Sequence, residues 1–157
     1  MGHVHGGLFA GLPAGGHMTW LAWRLPVLLF IVLLLGLAGC GKPPYTNISA
    51  AQVAEMQARG VPVYDIRLPE EWRETGVIEG STPLTYFDAR GAVVPDFMQA
   101  FSGRIGKNDP VVIICRSGNR SAVLAESLAA LGYTRVYNAE QGMNGWRAEG
   151  RPVVPVN

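Results

Sequence analysis

Val111-Val112-Ile113-Ile114-Cys115-Arg116-Ser117-Gly118-Asn119-Arg120-Ser121 changes character at its centre. The first four residues are all β-branched, a run that predicts a buried strand. The strand stops at a cysteine, and a polar loop with one glycine and two arginines follows. From Ser121 the pattern becomes Ala122-Val123-Leu124-Ala125-Glu126-Ser127-Leu128-Ala129-Ala130-Leu131. This predicts an amphipathic helix with Leu124, Leu128 and Leu131 on one face. A thiol is thereby placed at the carboxyl end of a strand and just before a helix N-terminus, where open α/β sheets put their ligand sites.

The surrounding composition narrows the chemistry. A chain of 157 residues has room for one domain of ordinary size and a tail. Its net charge of +1 gives no basic field suited to nucleic acid. All three histidines, His3, His5 and His17, precede position 18. The globular part therefore has neither a Cys–His dyad nor a His-ligated metal site available to it. A reactive Cys115 must have its thiolate stabilised by something other than an imidazole.

Leu25 to Ala38 reads LPVLLFIVLLLGLA, with Arg24 ahead of it and Gly39-Cys40 behind. The uncharged run from Leu25 to Gly41 is 17 residues, short of the roughly 20 that a spanning helix needs. A basic flank, a short apolar core and small residues before a cut describe a secretory signal. Leu37-Ala38-Gly39-Cys40 also resembles the lipobox of bacterial lipoprotein precursors, in which the cysteine is acylated and becomes the new N-terminus. The expected organisation is a signal peptide over 1–39, with Met18 an alternative start, then a lipidated Cys40 and tether over 40–44, then a domain over 45–157. An uncleaved membrane anchor is the competing expectation. The lipoprotein resemblance implies a membrane-anchored protein facing the periplasm or cell exterior, and Gly41 implies the outer membrane in a Gram-negative cell. Cys115 would then be the one thiol left in an oxidising compartment, without an intramolecular partner.

Along the domain, strands alternate with helices. Tyr45–Ile48 reads as a short edge strand, and Ser49 caps a helix running to Arg59 with Gly60 as its stop. Val61–Ile66 predicts the next strand, and Pro69 opens a short helix through Arg73. A brief strand is expected near Leu84-Thr85, a turn at Arg90-Gly91, and a helix from Pro95 to Gly103. Thr134–Tyr137 reads as a last short strand and Gly142–Glu149 as a terminal helix carrying Trp146. The alternation predicts an α/β domain with a mostly parallel central sheet of about five strands and helices on both faces. Residues 84–104 are the segment expected to shape a pocket.

The loop after the strand suits an anionic sulfur. Arg116 and Arg120 supply cations, the opening helix supplies the positive end of its dipole, and Gly118 lets successive N–H groups converge on one anion. Ser117, Asn119 and Ser121 add hydrogen-bond donors. An inert buried cysteine is the simpler expectation for a free thiol, but two arginines within five residues argue against it, because burying them without partners is costly.

Cys-Arg-Ser-Gly-Asn-Arg-Ser resembles the active-site loop of the rhodanese family of single-domain sulfurtransferases. Val63-Tyr64-Asp65-Ile66-Arg67 with Glu71-Trp72 is similar to the family's D-x-R-x-x-x-E-aromatic element. Gly76-Val77-Ile78-Glu79-Gly80-Ser81 and Gly142-Met143-Asn144-Gly145-Trp146 with Gly150 and Pro152 match two further elements, all in family order. The departures are Val77 where many members carry His, and Met143-Asn144 in place of a more usual glycine. The resemblance implies sulfane-sulfur transfer through a persulfide on Cys115, with no metal and no organic cofactor. The donor would be thiosulfate or a persulfide, and the acceptor cyanide or a thiol. Arg116 and Arg120 would steer the anionic donor, and Asp65, Arg67 and Glu71 would form an ion-paired clasp under the loop.

Two rival functions remain. Phosphatases of the same fold have one more residue between cysteine and arginine than the four separating Cys115 from Arg120. Non-enzymatic rhodanese-like binding modules, which would dock a partner at the membrane, usually lack the cysteine.

Overall fold

The computed structural model describes residues 43–156. The expected signal peptide, the Met18 start and Cys40 lie outside the described residues. Five strands form one sheet: β1 (Thr46–Ile48), β2 (Val63–Asp65), β3 (Thr82–Pro83), β4 (Val111–Ile114) and β5 (Val136–Ala139). Their order is β1-β5-β4-β2-β3, and every neighbouring pair is parallel. Five helices connect and cover them: α1 (Ala50–Ala58), α2 (Pro69–Thr75), α3 (Phe97–Ser102), α4 (Asn119–Ala130) and α5 (Gly142–Ala148).

The β-branched run explains the centre of this arrangement. β4 pairs with β5 on one side and β2 on the other, so it has no free edge. Its side chains alternate between two cores, as a strand's period of two requires. Val111, Ile113 and Cys115 join Tyr64, Phe97, Phe101, Leu124 and Leu128 on one face. Val112 and Ile114 join Val53, Met56, Met143 and Trp146 on the other. Both faces are covered, which is why four consecutive apolar residues are tolerated and none is more than 1% exposed.

The helix ends follow local chemistry. Ser49 Oγ accepts the Gln52 N–H while Gln52 Oε1 accepts the Ser49 N–H, a reciprocal cap at the start of α1. Pro69 occupies the first turn of α2, where its missing N–H costs nothing. The expected turn at Arg90-Gly91 is a small loop in which the Asp88 carboxylate accepts the N–H groups of Arg90 and Ala92. Residues 84–104 contribute aromatic core: Tyr86, Phe97 and Phe101 pack edge-on or stacked against one another beneath the Cys115 face of the sheet.

Several boundaries differ from expectation. α4 starts two residues early, at Asn119, because Gly118 with φ 91° takes the N-cap position. Leu131 is 49% exposed rather than part of the apolar stripe. The helix ends at Ala130, Leu131 caps it, and Gly132 (φ 90°) turns the chain away from the sheet. β3 forms at Thr82–Pro83 instead of Leu84-Thr85. Proline has no ladder donor, so this strand stays at the sheet edge and the Leu84 N–H supplies the next bond, to Asp65 O. β5 runs to Ala139, past the expected end at Tyr137. Among the described residues no helix is long and apolar enough to cross a membrane.

Candidate active site

Cys115 follows the last residue of β4, and the peptide between it and α4 wraps its sulfur. The Gly118 N–H lies 3.2 Å from Cys115 Sγ, the Ser121 N–H 3.4 Å and the Ser121 Oγ 3.3 Å. Ser121 is the third residue of α4, so its N–H is one of the orphan donors that open every helix. The sulfur serves as the acceptor that a capping side chain would otherwise provide. Ser121 Oγ also stands 3.0 Å from Gly118 O. Its single proton bonds one acceptor at a time: with a thiol it can serve Gly118 O, and with a thiolate it can turn to sulfur.

The loop holds this shape because its carbonyls are tied down on the opposite side. The Met143 N–H donates to Cys115 O at 2.8 Å and the Asn144 N–H to Arg116 O at 3.0 Å. Both donors belong to the free N-terminus of α5. Carbonyls held outward leave the following N–H groups directed inward. Close approach demands glycine at Gly142, where a Cβ would run into Cys115 O and the Arg116 carbonyl, and where φ is 55°. The Met143-Asn144 departure causes no strain, because both residues are helical and the positive φ falls on Gly142 itself.

Arg120 stands at the same loop. Its guanidinium donates to Glu71 Oε1 at 2.7 Å, a pair with side chains 28% and 15% exposed. The bond from Arg120 to Glu71 holds this guanidinium firmly protonated against partial burial, and the charge of a Cys115 thiolate acts in the same direction. Partial burial works against ionised Glu71. The hydrogen bonds from Arg120 and the Leu68 N–H, with the charges of Arg120 and Arg67, outweigh it and hold the carboxyl below its usual range. A depressed carboxyl stabilises the fold above its unfolded pKa, and that contribution vanishes as pH falls through the folded value. The pair is therefore intact at neutral pH.

The expected clasp of Asp65, Arg67 and Glu71 is two constructions rather than one. Asp65 and Arg67 are 0% and 1% exposed and form a bidentate pair, Nε to Oδ1 at 2.9 Å and Nη2 to Oδ2 at 2.7 Å. The remaining guanidinium hydrogens go to Thr75 Oγ1, Glu71 O and Gly76 O. All five donors of the arginine are engaged, fastening both ends of α2 to the end of β2. The Glu71 carboxylate instead accepts the Leu68 N–H at 3.0 Å and turns its other oxygen to Arg120.

Of the other loop residues, Arg116, Ser117 and Asn119 are exposed, while Gly118 and Ser121 are buried. Sequence reasoning missed the two N–H groups of α5 and the acceptor roles of Thr75 and Gly76. The glycine before Met143 was the signal available for the first. For the second, the Gly76 carbonyl leaves no signature in side-chain identity, and the Thr75 hydroxyl, eight residues from Arg67, had no pattern to single it out. Among the described residues no group of three or more His, Cys, Asp or Glu could hold a metal ion.

Residues 49–149 match the model of the rhodanese-like domain. The chain belongs to the rhodanese-like domain family. Thiosulfate sulfurtransferase GlpE from Tolumonas auensis is 34% identical over 104 residues, covering 66% of this chain and 89% of the relative. Thiosulfate sulfurtransferase 16 from Arabidopsis thaliana chloroplasts is 29% identical over 111 residues, covering 68% and 91%. Among solved structures, that of Rv0390 from M. tuberculosis superposes with a TM-score of 0.61 at 28% identity, covering 71% of this chain and 99% of that one. A rhodanese-related protein from Thermoplasma volcanium gives 0.55 at 30% identity, covering 70% and 98%. The rhodanese-like fold expected from the cysteine loop is thus the fold observed, and the two curated relatives above carry the name thiosulfate sulfurtransferase.

Proposed function

We propose that this rhodanese-like domain is a sulfurtransferase that moves a sulfane sulfur through a persulfide on Cys115. The convergence of the Gly118 and Ser121 donors on Cys115 Sγ carries this reading. The Cys115 thiolate attacks the outer sulfur of thiosulfate or a persulfide. A new Sγ–S bond forms, the donor's S–S bond breaks, and sulfite or a thiolate leaves with the electron pair. In the second half, cyanide or a thiolate attacks the outer sulfur and the Sγ–S bond breaks back onto Sγ. The loop N–H groups, with Asn119 and Ser117 at the exposed rim, hold the charge on sulfur in both stages. Arg120 and Arg116 attract the anionic donor. This is covalent catalysis of the ping-pong type. The names of the sulfurtransferase relatives support the same assignment.

The four residues between Cys115 and Arg120 favour this reading over a phosphatase, and the retained cysteine favours it over a binding module without chemistry. Mass spectrometry of the purified chain after exposure to thiosulfate is expected to show a gain of one sulfur atom, absent in Cys115→Ser. No gain with thiosulfate or with a persulfide donor would exclude the sulfurtransferase.

We further propose that the chain is exported and tethered by lipid on Cys40, on the strength of Leu37-Ala38-Gly39-Cys40 and the apolar run before it. Cells fed a labelled fatty acid are expected to label the wild type and not Cys40→Ala. Equal labelling would refute the lipoprotein assignment.

A further inference from the structure

Arg116 and Arg120 both belong to the Cys115 loop, but only one of them is held in place. Arg116 is exposed and enters no ion pair among the described residues. Arg120 is partly buried, and its Nη2 donates to Glu71 Oε1 at 2.7 Å. It stands between Gly118 and Ser121, the two residues whose N–H groups meet Cys115 Sγ. Its guanidinium is near enough to the sulfur for a thiolate's charge to act on it. A guanidinium carries five donors, and among the described residues this one uses a single donor on oxygen. Glu71 is itself anchored. Its Oε2 accepts the Leu68 N–H at 3.0 Å, closing the first turn of α2. Arg67 ties that helix to the end of β2 through Asp65, Thr75, Glu71 O and Gly76 O. A fixed line of contacts therefore runs from the sheet through α2 and the Glu71 carboxylate to the Arg120 guanidinium. An arginine already ordered in this way loses little further freedom when it takes a ligand.

We infer that Glu71 is a positioning residue for the sulfur donor. It holds Arg120 beside Cys115 so that the remaining guanidinium N–H groups take the anionic end of thiosulfate. The inference rests on the sulfurtransferase reading. In the step concerned, the Cys115 thiolate attacks the outer sulfur of thiosulfate. The Sγ–S bond forms, and the donor's S–S bond breaks with its electron pair on the departing sulfite. No oxidant or reductant is consumed. The direction of the effect is diagnostic. A carboxylate acting only through its own charge repels the thiosulfate dianion, so its removal would tighten binding. A carboxylate acting through Arg120 does the reverse, and its removal weakens binding.

Sulfur loading of the full-length chain is followed by mass spectrometry over a range of thiosulfate concentrations. Wild type, Glu71→Gln, Arg120→Gln and the double variant are compared. Glu71→Gln is expected to raise the half-saturating thiosulfate concentration about fivefold to tenfold, with a much smaller change in the maximal rate. Arg120→Gln should raise it at least as much. The double variant should rise no further than Arg120→Gln alone, because Glu71 then has no guanidinium to hold. Alkylation of Cys115 by neutral iodoacetamide is expected to change far less than loading in Glu71→Gln. Unchanged or tighter half-saturation in Glu71→Gln, or effects that multiply in the double variant, overturns the positioning role and leaves the sulfurtransferase standing. Equal losses with thiosulfate and iodoacetamide would locate the damage in the thiol loop and overturn it as well. A wild type that takes sulfur from neither thiosulfate nor a persulfide donor sinks both.

Discussion

Arg67→Ala is expected to remove about 3–5 kcal/mol of stability, the usual consequence of deleting one partner of a buried ion pair. The arginine is 1% exposed and donates to Asp65, Thr75, Glu71 O and Gly76 O. Its loss strands the Asp65 carboxylate, which is 0% exposed, and frees two backbone carbonyls that held α2. Total stability of a domain this size is roughly 5–15 kcal/mol, so the variant is expected at the edge of folding. Urea denaturation followed by far-ultraviolet circular dichroism measures the loss. Arg67→Lys restores the charge but not the planar fork and is expected to fall between wild type and Arg67→Ala. The double variant Asp65→Asn with Arg67→Met should be less destabilised than Arg67→Ala, because the stranded charge is gone. A midpoint for Arg67→Ala within experimental error of wild type would show that the pair contributes nothing to holding α2.

Gly118→Ala is expected to abolish sulfur loading while leaving a folded protein. At φ 91° a side chain is strained, at roughly 1–2 kcal/mol. The added Cβ would also overlap the Glu140 carbonyl, so either the loop or the turn after β5 must move. Yielding on the loop side moves the Gly118 N–H away from Sγ. Yielding on the other side shifts the N-terminus of α5, and with it the Met143 and Asn144 donors that hold the Cys115 and Arg116 carbonyls. Either displacement spoils a set of donors that act at about 3.2–3.4 Å. Persulfide yield is expected to drop at least about tenfold, a loss of about 1.4 kcal/mol in the loaded state. Retained circular dichroism with wild-type loading would mean that the loop donors do not hold the sulfur.

The sequence made the centre of the molecule legible and its seams obscure. Val111–Ile114 announces a central strand because β-branched residues without alternation need cover on both faces. Gly118 announces the tight loop, and Leu124 with Leu128 announces the covering helix. β5 was harder: Asn138 and Ala139 have little strand propensity, yet both pair, because the neighbouring strand offers them a ladder. β3 hid behind Pro83, a residue that argues against a strand except at an edge. In the site, the residue types were readable and the partner choice was not. Glu71 lies within four residues of Arg67 and 49 from Arg120, and chain proximity suggested the wrong partner for its carboxylate. The deciding fact is that Arg67 has no donor left, which only the surrounding carbonyls reveal.

The tie between the cysteine loop and α5 has a bearing on timing. The carbonyls of Cys115 and Arg116 are fixed by N–H groups of Met143 and Asn144, which come later in the chain. A ribosome delivers residues in order, so Cys115 is made well before the groups that complete its setting. Until Asn144 has emerged and α5 has docked, the chain carries an ordinary thiol on an unrestrained loop. Any product truncated before Gly142 is therefore expected to carry the cysteine without the ties that shape the loop around its sulfur.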